Sequence, residues 1–153
     1  MNTILVAIGE SDESRLDQLL DEAIAVAGPT EATVVLGHVF TPKAYHKALE
    51  NLSFDVSAAD VTPDDVAERY SVIREAARTL ADHEIDTEIR GSLGADGDAV
   101  VDLAERVAAD RIIIGGRRRS PTGKAVFGST AQAILLSAPC PVTFVRATAA
   151  PTA

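Results

Sequence analysis

Several residue types are scarce in this sequence: there is one cysteine, Cys140, there is no tryptophan, and no long apolar run occurs. A single cysteine excludes an intrachain disulfide, which is typical of the reducing cytoplasm, and we interpret Cys140, between two prolines, as a small buried residue rather than a reactive thiol. No stretch approaches the roughly 18 apolar residues of a membrane span, and residues 1–3 lead into a predicted strand without a signal-peptide pattern. We therefore expect a soluble, cytoplasmic protein without a membrane partner.

Positive charge is also scarce. Lysine and arginine number 14 against 23 aspartates and glutamates, only three of the 14 are lysines, and the net charge is −9. This balance argues against a nucleic-acid partner, because such proteins neutralise phosphates with a basic face. An acidic, lysine-poor surface is expected of a protein that works in concentrated salt, so we interpret the source as halophilic.

The chain lacks the motifs of the common catalytic classes. Its histidines, His38, His46 and His83, fall on different predicted elements without metal-ligand spacing, so no zinc site is expected. Neither a G-x-S-x-G nucleophile motif nor a pair of catalytic carboxylates can be identified. Gly123-Lys124 does not form a P-loop, because Ala125 stands where a Mg²⁺-binding hydroxyl is needed. We predict that the protein is not a dedicated catalyst, and we assign no catalytic residue.

Apolar runs and amphipathic segments alternate along the chain. The patterns predict strands over residues 3–8, 32–39, 85–90, 112–114 and 142–145, and helices over residues 14–27 and 62–81, after Asp98 and after Gly128. This alternation predicts an α/β, doubly wound sheet of five strands and four helices in one domain, residues 1–153. Strand 85–90 should lie at a sheet edge, because apolar and charged residues alternate in it. Residues 41–61 fit either a mobile loop or the start of a helix, and residues 147–153 are expected to form a disordered tail.

A glycine-rich loop after strand 112–114 is the best candidate for a binding site. Gly115 ends that strand, and Gly128 and Ser129 open a helix whose free N–H groups and positive dipole end favour an anion. Alternatively, the glycines only form turns and Ser129 only caps the helix. Four cations in the loop either pair with phosphate or form solvated ion pairs: Arg117, Arg118, Arg119 and Lys124.

Residues 111–145 resemble the nucleotide-binding signature of the universal stress protein family. That signature runs glycine, two residues, glycine, nine residues, glycine, then serine or threonine, and Gly115, Gly128 and Ser129 match its frame. The segments ILVAIGES and GHVF are also similar to that family, so the resemblance covers residues 2–146. Two positions depart from it: Arg118 replaces the second glycine, and Gly9 stands where the family often has a ligand-contacting aspartate.

The resemblance implies a Rossmann-like open parallel sheet in the order 3-2-1-4-5, with a ligand at the switch point between the first and fourth strands. The implied ligand is ATP or a related adenine nucleotide, with or without Mg²⁺, and the implied partner is a second copy paired through the last strand. The implied nucleotide-binding residues are Ala7, Ile8, Gly9, Val39, Ile114, Gly115, Arg118, Gly128, Ser129 and Thr130, and the implied dimer residues are Val142, Phe144, Val145 and Arg146.

The predicted function is therefore adenine-nucleotide binding in a stress-response or regulatory protein. One alternative is a nucleotide-free member that acts as a dimeric protein-interaction module, and a second is a slow nucleotide hydrolase. Arg118 bears on this choice, since its guanidinium either pairs with the β- or γ-phosphate or occupies the anion site. Glu10, Asp12 and Glu13 could hold a nucleotide-bound Mg²⁺, although acids are common in a first helical turn without any metal.

Overall fold

A computed structural model of the protein describes residues 1–51, 61–116 and 128–146, apart from the side chains of residues 10, 11 and 96. The strands are β1 (Thr3–Ala7), β2 (Thr33–Phe40), β3 (Thr87–Leu93), β4 (Arg111–Gly116) and β5 (Val142–Arg146). The helices are α1 (Leu16–Thr30), α2 (Pro42–Asn51), α3 (Pro63–Ala67), α4 (Ser71–Asp82), α5 (Asp96–Arg106) and α6 (Ser129–Ser137), and a 3-10 helix spans Glu10–Arg15. The described residues thus form six α-helices, where the sequence patterns predict four.

The five strands form one parallel sheet in the order β3-β2-β1-β4-β5. This order confirms the predicted Rossmann-like fold and places β1 and β4 side by side at the point where the winding reverses. At the opposite end of these strands, Asp110 accepts the N–H groups of Asn2 and Thr3 at 2.7 and 3.0 Å. Those two bonds favour the ionised carboxylate and lower the pKa of Asp110. The contact is therefore present at neutral pH and is lost on acidification.

Helices cover both faces of the sheet, and each face has its own core. On β1, Ile4 and Val6 belong to the core under α1 and α4, whereas Leu5 belongs to the core under α5 and α6. Successive side chains of a strand point to opposite faces. Because both faces are dry, the inner strands are continuous apolar runs rather than alternating ones.

The predicted helix over residues 62–81 is two helices, α3 and α4. Its start is as predicted: Thr62 and Asp65 form a reciprocal capping box, with each side chain accepting the other residue's N–H. The helix then breaks, and Tyr70 has an extended backbone (φ −71°, ψ 131°). The Tyr70 ring packs edge-on against His38 of β2, with ring centroids 4.6 Å apart. That contact is long-range, so periodicity within the segment does not reveal it.

Helix α1 continues past Ala27, where Gly28-Pro29 predicts its end. Glu31 adopts the left-handed conformation (φ 55°) and closes the helix in place of a glycine. The Thr30 hydroxyl also donates to the Val26 carbonyl one turn earlier, at 2.7 Å. Helix α1 thus extends to Thr30, three residues beyond the predicted end.

Segment 41–61, which the sequence leaves open between loop and helix, begins with α2. Residues 52–60 and the predicted tail at 147–153 lie outside the described residues. Helix α2 packs on a third small core through Ala48, which lies with Phe40 of β2 and with Val66 and Ala67 of α3. In the described part of the chain, no helix is both long and apolar enough to cross a membrane.

The edge of the outer strand β3 is covered by a helix. Strand β3 is an edge strand, as predicted, but it runs to Leu93 rather than ending at residue 90. Helix α3 lies against its edge, and the Asp64 carboxylate accepts the Gly91 N–H at 2.6 Å. This contact occupies a backbone donor that could otherwise pair with another strand.

Candidate functional site

A cavity of about 960 Å³ lies at the carboxyl ends of β1, β2 and β4, beside the amino end of α6. Its walls include the following residues: Ala7, Ile8, Gly9, Asp12, Arg15, Gly37, His38, Val39, Thr41, Ala44, Val100, Ile114, Gly115, Gly116, Gly128, Ser129, Thr130, Ala131 and Ile134. Ligand sites of open α/β sheets lie at this switch point. The volume is within the range of small-molecule sites.

All of the predicted nucleotide-site residues that the structure describes line this one cavity. Ala7, Ile8 and Gly9 come from the end of β1, Val39 from β2, Ile114 and Gly115 from β4, and Gly128, Ser129 and Thr130 from the start of α6. Arg118 lies in segment 117–127, outside the described residues. The fold thus joins three distant parts of the sequence at one concave surface.

The amino end of α6 forms one wall of the cavity. Gly128 is the N-cap residue and has no side chain to accept the first N–H groups of the helix, and a Cβ placed there would meet no atom within 4 Å. Ser129 and Thr130 place hydroxyl groups in the first turn. Helix N–H groups and hydroxyls at a dipole's positive end favour an anion. This wall is chemically suited to a phosphate group.

A buried ion pair, Asp12 with Arg15, forms the wall between β1 and β4, and sequence reasoning misses it. The two residues are 7% and 9% exposed. Asp12 Oδ1 accepts Arg15 Nε–H at 2.5 Å, and Asp12 Oδ2 accepts the Gly9 N–H at 2.8 Å. Arg15 also donates through Nη1 to the Gly116 carbonyl at 2.7 Å. The pair therefore connects the exits of the two central strands.

This ion pair explains the glycine at position 115. A Cβ built there would lie 2.8 Å from Arg15 Cδ and 2.9 Å from both Arg15 Nε and Asp12 Oδ1. From sequence, the glycine indicates a turn or a close approach to a ligand, and strand β4 in fact continues through Gly115 and Gly116. The close approach is made by the protein's own side chains. Gly116 is similarly covered by the ring of Phe144.

The third wall is formed by β2 and the start of α2. His38 is buried and donates from Nδ1 to the Ile8 carbonyl at 2.7 Å, which connects β2 to the exit of β1. Its ring lies edge-on to Phe40, with centroids 4.5 Å apart. Thr41 and Ala44 then bring α2 to the cavity.

Tyr45 lies next to Ala44 but packs on the small core around Phe40 instead of lining the cavity. Burial, and to a smaller extent the Asp65 carboxylate, raises the pKa of its phenol, which is therefore neutral at physiological pH.

The residues predicted to form a dimer lie on β5, the outer strand beside β4. Val142, Phe144 and Val145 are half-buried and Arg146 is exposed. Ile112 donates its N–H to the Pro141 carbonyl at 3.0 Å. Alternate residues of a parallel strand bond the same neighbour, so the backbone groups of residues 141, 143 and 145 face β4.

Other candidate chemistry is limited within the described residues. No group of three or more His, Cys, Asp or Glu side chains there could hold a metal ion. Cys140 is half-buried, and desolvation, with a smaller contribution from Asp110, raises the pKa of its thiol. A raised pKa keeps the thiol protonated and unreactive at neutral pH.

The sheet order and the position of the cavity define the class of this protein as a doubly wound α/β protein with a switch-point cleft. The model of the universal stress protein family matches residues 1–146, and the chain belongs to this family. A universal stress protein from Mycolicibacterium smegmatis is 31% identical over 96 residues, which make up 62% of this chain and 74% of that protein.

Solved structures of the same family share the fold. A universal stress protein from Archaeoglobus fulgidus is 27% identical, with a TM-score of 0.61 over 95% of this chain and 98% of its own. A universal stress protein in complex with cAMP is 22% identical, with a TM-score of 0.64 and coverage of 96% and 98%. A further Archaeoglobus fulgidus universal stress protein, in complex with dAMP, is 23% identical, with a TM-score of 0.56 and coverage of 95% and 98%.

Proposed function

We propose that this protein binds ATP or a related adenine nucleotide in the switch-point cavity and acts as a stress-response or regulatory binding protein. The observation that carries the proposal is the convergence of the β1, β2 and β4 exits with the amino end of α6 around one cavity. An apolar cleft with a few directed polar groups is the usual form of a small-molecule site.

The walls of the cavity offer suitable contacts to both ends of such a ligand, the purine base and the phosphates. Val39 and Ile114, which belong to the core on the same face of the sheet, offer an apolar surface to a purine ring. Gly128, Ser129 and Thr130 offer N–H and hydroxyl donors to phosphate. The cAMP and dAMP complexes of relatives are in keeping with an adenine nucleotide as the ligand class.

Calorimetric titration with ATP, ADP and AMP tests this proposal. We expect Ser129→Ala to weaken ATP and ADP binding by roughly tenfold, because one hydrogen bond to a charged phosphate is lost. Ser137→Ala is the matched control, since it removes the same hydroxyl from the far end of α6 and should leave the affinities unchanged. Absence of binding at millimolar nucleotide to the parent protein would reject the proposal.

The same titration separates the two roles that the sequence leaves open for Arg118. If its guanidinium pairs with the β- or γ-phosphate, Arg118→Ala should weaken ATP binding more than AMP binding. If it occupies the anion site, the parent should not bind and Arg118→Gly should gain binding. The second result would favour the nucleotide-free, dimeric interaction module. Phosphate release from bound ATP, lost in an Arg118 variant, would instead favour the slow hydrolase.

We also propose that two copies pair through β5. Strand β5 is the outer strand of the sheet beside β4, and its Val142, Phe144 and Val145 side chains are half-buried. Pairing of two outer strands about a two-fold axis is self-complementary.

Substitution at Phe144 tests this dimer by analytical ultracentrifugation. Proline has no N–H and fixes its own φ, so Phe144→Pro should disturb the backbone of this outer strand, and we expect it to shift a dimeric parent to monomer at micromolar concentration. Phe144→Ala is the control that loses the ring but keeps the N–H, and it should stay more dimeric than the proline variant. A monomeric parent chain would contradict the dimer proposal.

A further inference from the structure

We propose that Arg15, positioned by Asp12, is a phosphate-binding residue of the cavity. The inference rests on the proposed nucleotide function and adds to it a cation that lies far from the glycine-rich loop in the sequence. Among the described residues that line the cavity, Arg15 is the only arginine or lysine. Because Asp12 balances the charge of Arg15, what Arg15 brings to anion binding in this protein of net charge −9 is its directed N–H donors rather than net positive charge.

The hydrogen bonds of Arg15 hold its guanidinium in the cavity wall at the exit of β4. Asp12 Oδ1 takes Nε–H and the Gly116 carbonyl takes a hydrogen of Nη1, so the planar group is fixed from two sides under the exit of β4. The Gly128–Thr130 wall belongs to the same cavity. A guanidinium held in a fixed plane is well suited to recognise phosphate, because little side-chain freedom is lost when the anion binds.

The burial of the pair also points to a role beyond packing. Removing two charges from water is costly, and an apolar pair of similar volume is often as stable as a buried ion pair. The surroundings at this point are apolar, with Ile8 and Ile114 in the same walls. Asp12 is a positioning residue here, because its second oxygen accepts the Gly9 N–H and so anchors the pair to β1.

The test compares the affinities for AMP and adenosine, which differ by the phosphate alone. In the parent we expect AMP to bind more tightly than adenosine, and in Arg15→Gln we expect this preference to fall by roughly tenfold, with adenosine affinity nearly unchanged. Arg15→Lys keeps the charge and should retain part of the preference. Arg111→Gln is the matched control, because it removes one arginine from the opposite end of β4, where Arg111 donates to Thr143 Oγ1.

A double variant and a second ligand, inorganic pyrophosphate, complete this comparison of affinities. Arg15→Gln leaves the Asp12 carboxylate buried without its partner, so the double variant Asp12→Asn/Arg15→Gln, which removes both charges, is measured too, with circular dichroism to confirm folding. An unchanged AMP preference in the Arg15 variants, or equal weakening of AMP and adenosine, would overturn the proposal.

Thermal stabilisation by inorganic pyrophosphate supplies an independent readout. One outcome is that no nucleoside or nucleotide binds, while pyrophosphate stabilises the parent and not Arg15→Gln. The nucleotide function would then be rejected and the anion site at Arg15 retained. If pyrophosphate also has no effect, both proposals are rejected.

Discussion

Replacing Phe40 with alanine is expected to lower the free energy of unfolding by about 3–5 kcal/mol, the usual range for removing a fully buried phenylalanine ring. The Phe40 side chain is 0% exposed. It lies at the centre of an aromatic cluster, with ring centroids 4.5 Å from His38, 5.4 Å from Tyr45 and 5.5 Å from Tyr70. Urea denaturation measures the loss.

Because Phe40 lies under α2 and α3, its removal should also loosen these two helices in particular. Helices α2 and α3 pack on the rest of the protein through this cluster, where Ala48 and Val66 contact it. We therefore expect amide hydrogen exchange in Phe40→Ala to increase first in these two helices, while β1 and β4 keep their protection. Since Thr41 and Ala44 line the cavity, ligand affinity should fall as well.

Phe144→Ala is the matched control for Phe40→Ala. It removes the same ring from a half-buried position on the edge strand β5, where less apolar area is withdrawn from water. We expect a loss of about 1–2 kcal/mol. Equal losses for the two variants, or unchanged exchange in α2 and α3, would contradict the assigned role of the cluster.

The second large effect is expected for Gly91→Ala, with a loss of about 2–4 kcal/mol in the free energy of unfolding. A Cβ at this position would overlap the carbonyl group of Pro63 and lie 3.0 Å from the Asp64 nitrogen. The obstructing atoms are backbone, so no rotamer change can relieve the overlap. Helix α3 must move away, and the Asp64 carboxylate then loses the Gly91 N–H.

Gly28→Ala provides the contrasting control in the same denaturation experiment. Gly28 lies within α1, and a Cβ there would meet no atom within 4 Å apart from its chain neighbours and the backbone of its own helix. Alanine in a helix is favoured over glycine by about 0.8–1 kcal/mol, whereas Pro29 disfavours a helical backbone at a preceding residue with a Cβ, so we expect the two effects to oppose each other and stability to change by less than about 1 kcal/mol. If Gly91→Ala were as stable as the parent, α3 would not be seated on β3 as described.

The sequence alone determines the features that depend on neighbours in the chain. Hydrophobic period distinguishes strands from helices, and residues 62–65 specify the start of α3 through a cap, a proline and a carboxylate placed three residues from the cap. The glycine and serine at 128 and 129 likewise predict a helix start suited to an anion. The order of the strands, by contrast, follows from the family resemblance and not from any local pattern.

Only the tertiary structure decides features whose partners are distant in sequence. Tyr70, at the break between α3 and α4, contacts the ring of His38 in β2, 32 residues away, and the Gly116 carbonyl that holds Arg15 is 101 residues from it. From sequence, Asp12 and Arg15 belong to the start of a helix, because their charge pattern is the same whether they face solvent or a cavity. The physical reason is that burial and hydrogen-bond partnership are properties of packed surfaces. Those surfaces exist here only once β1 and β4 lie side by side.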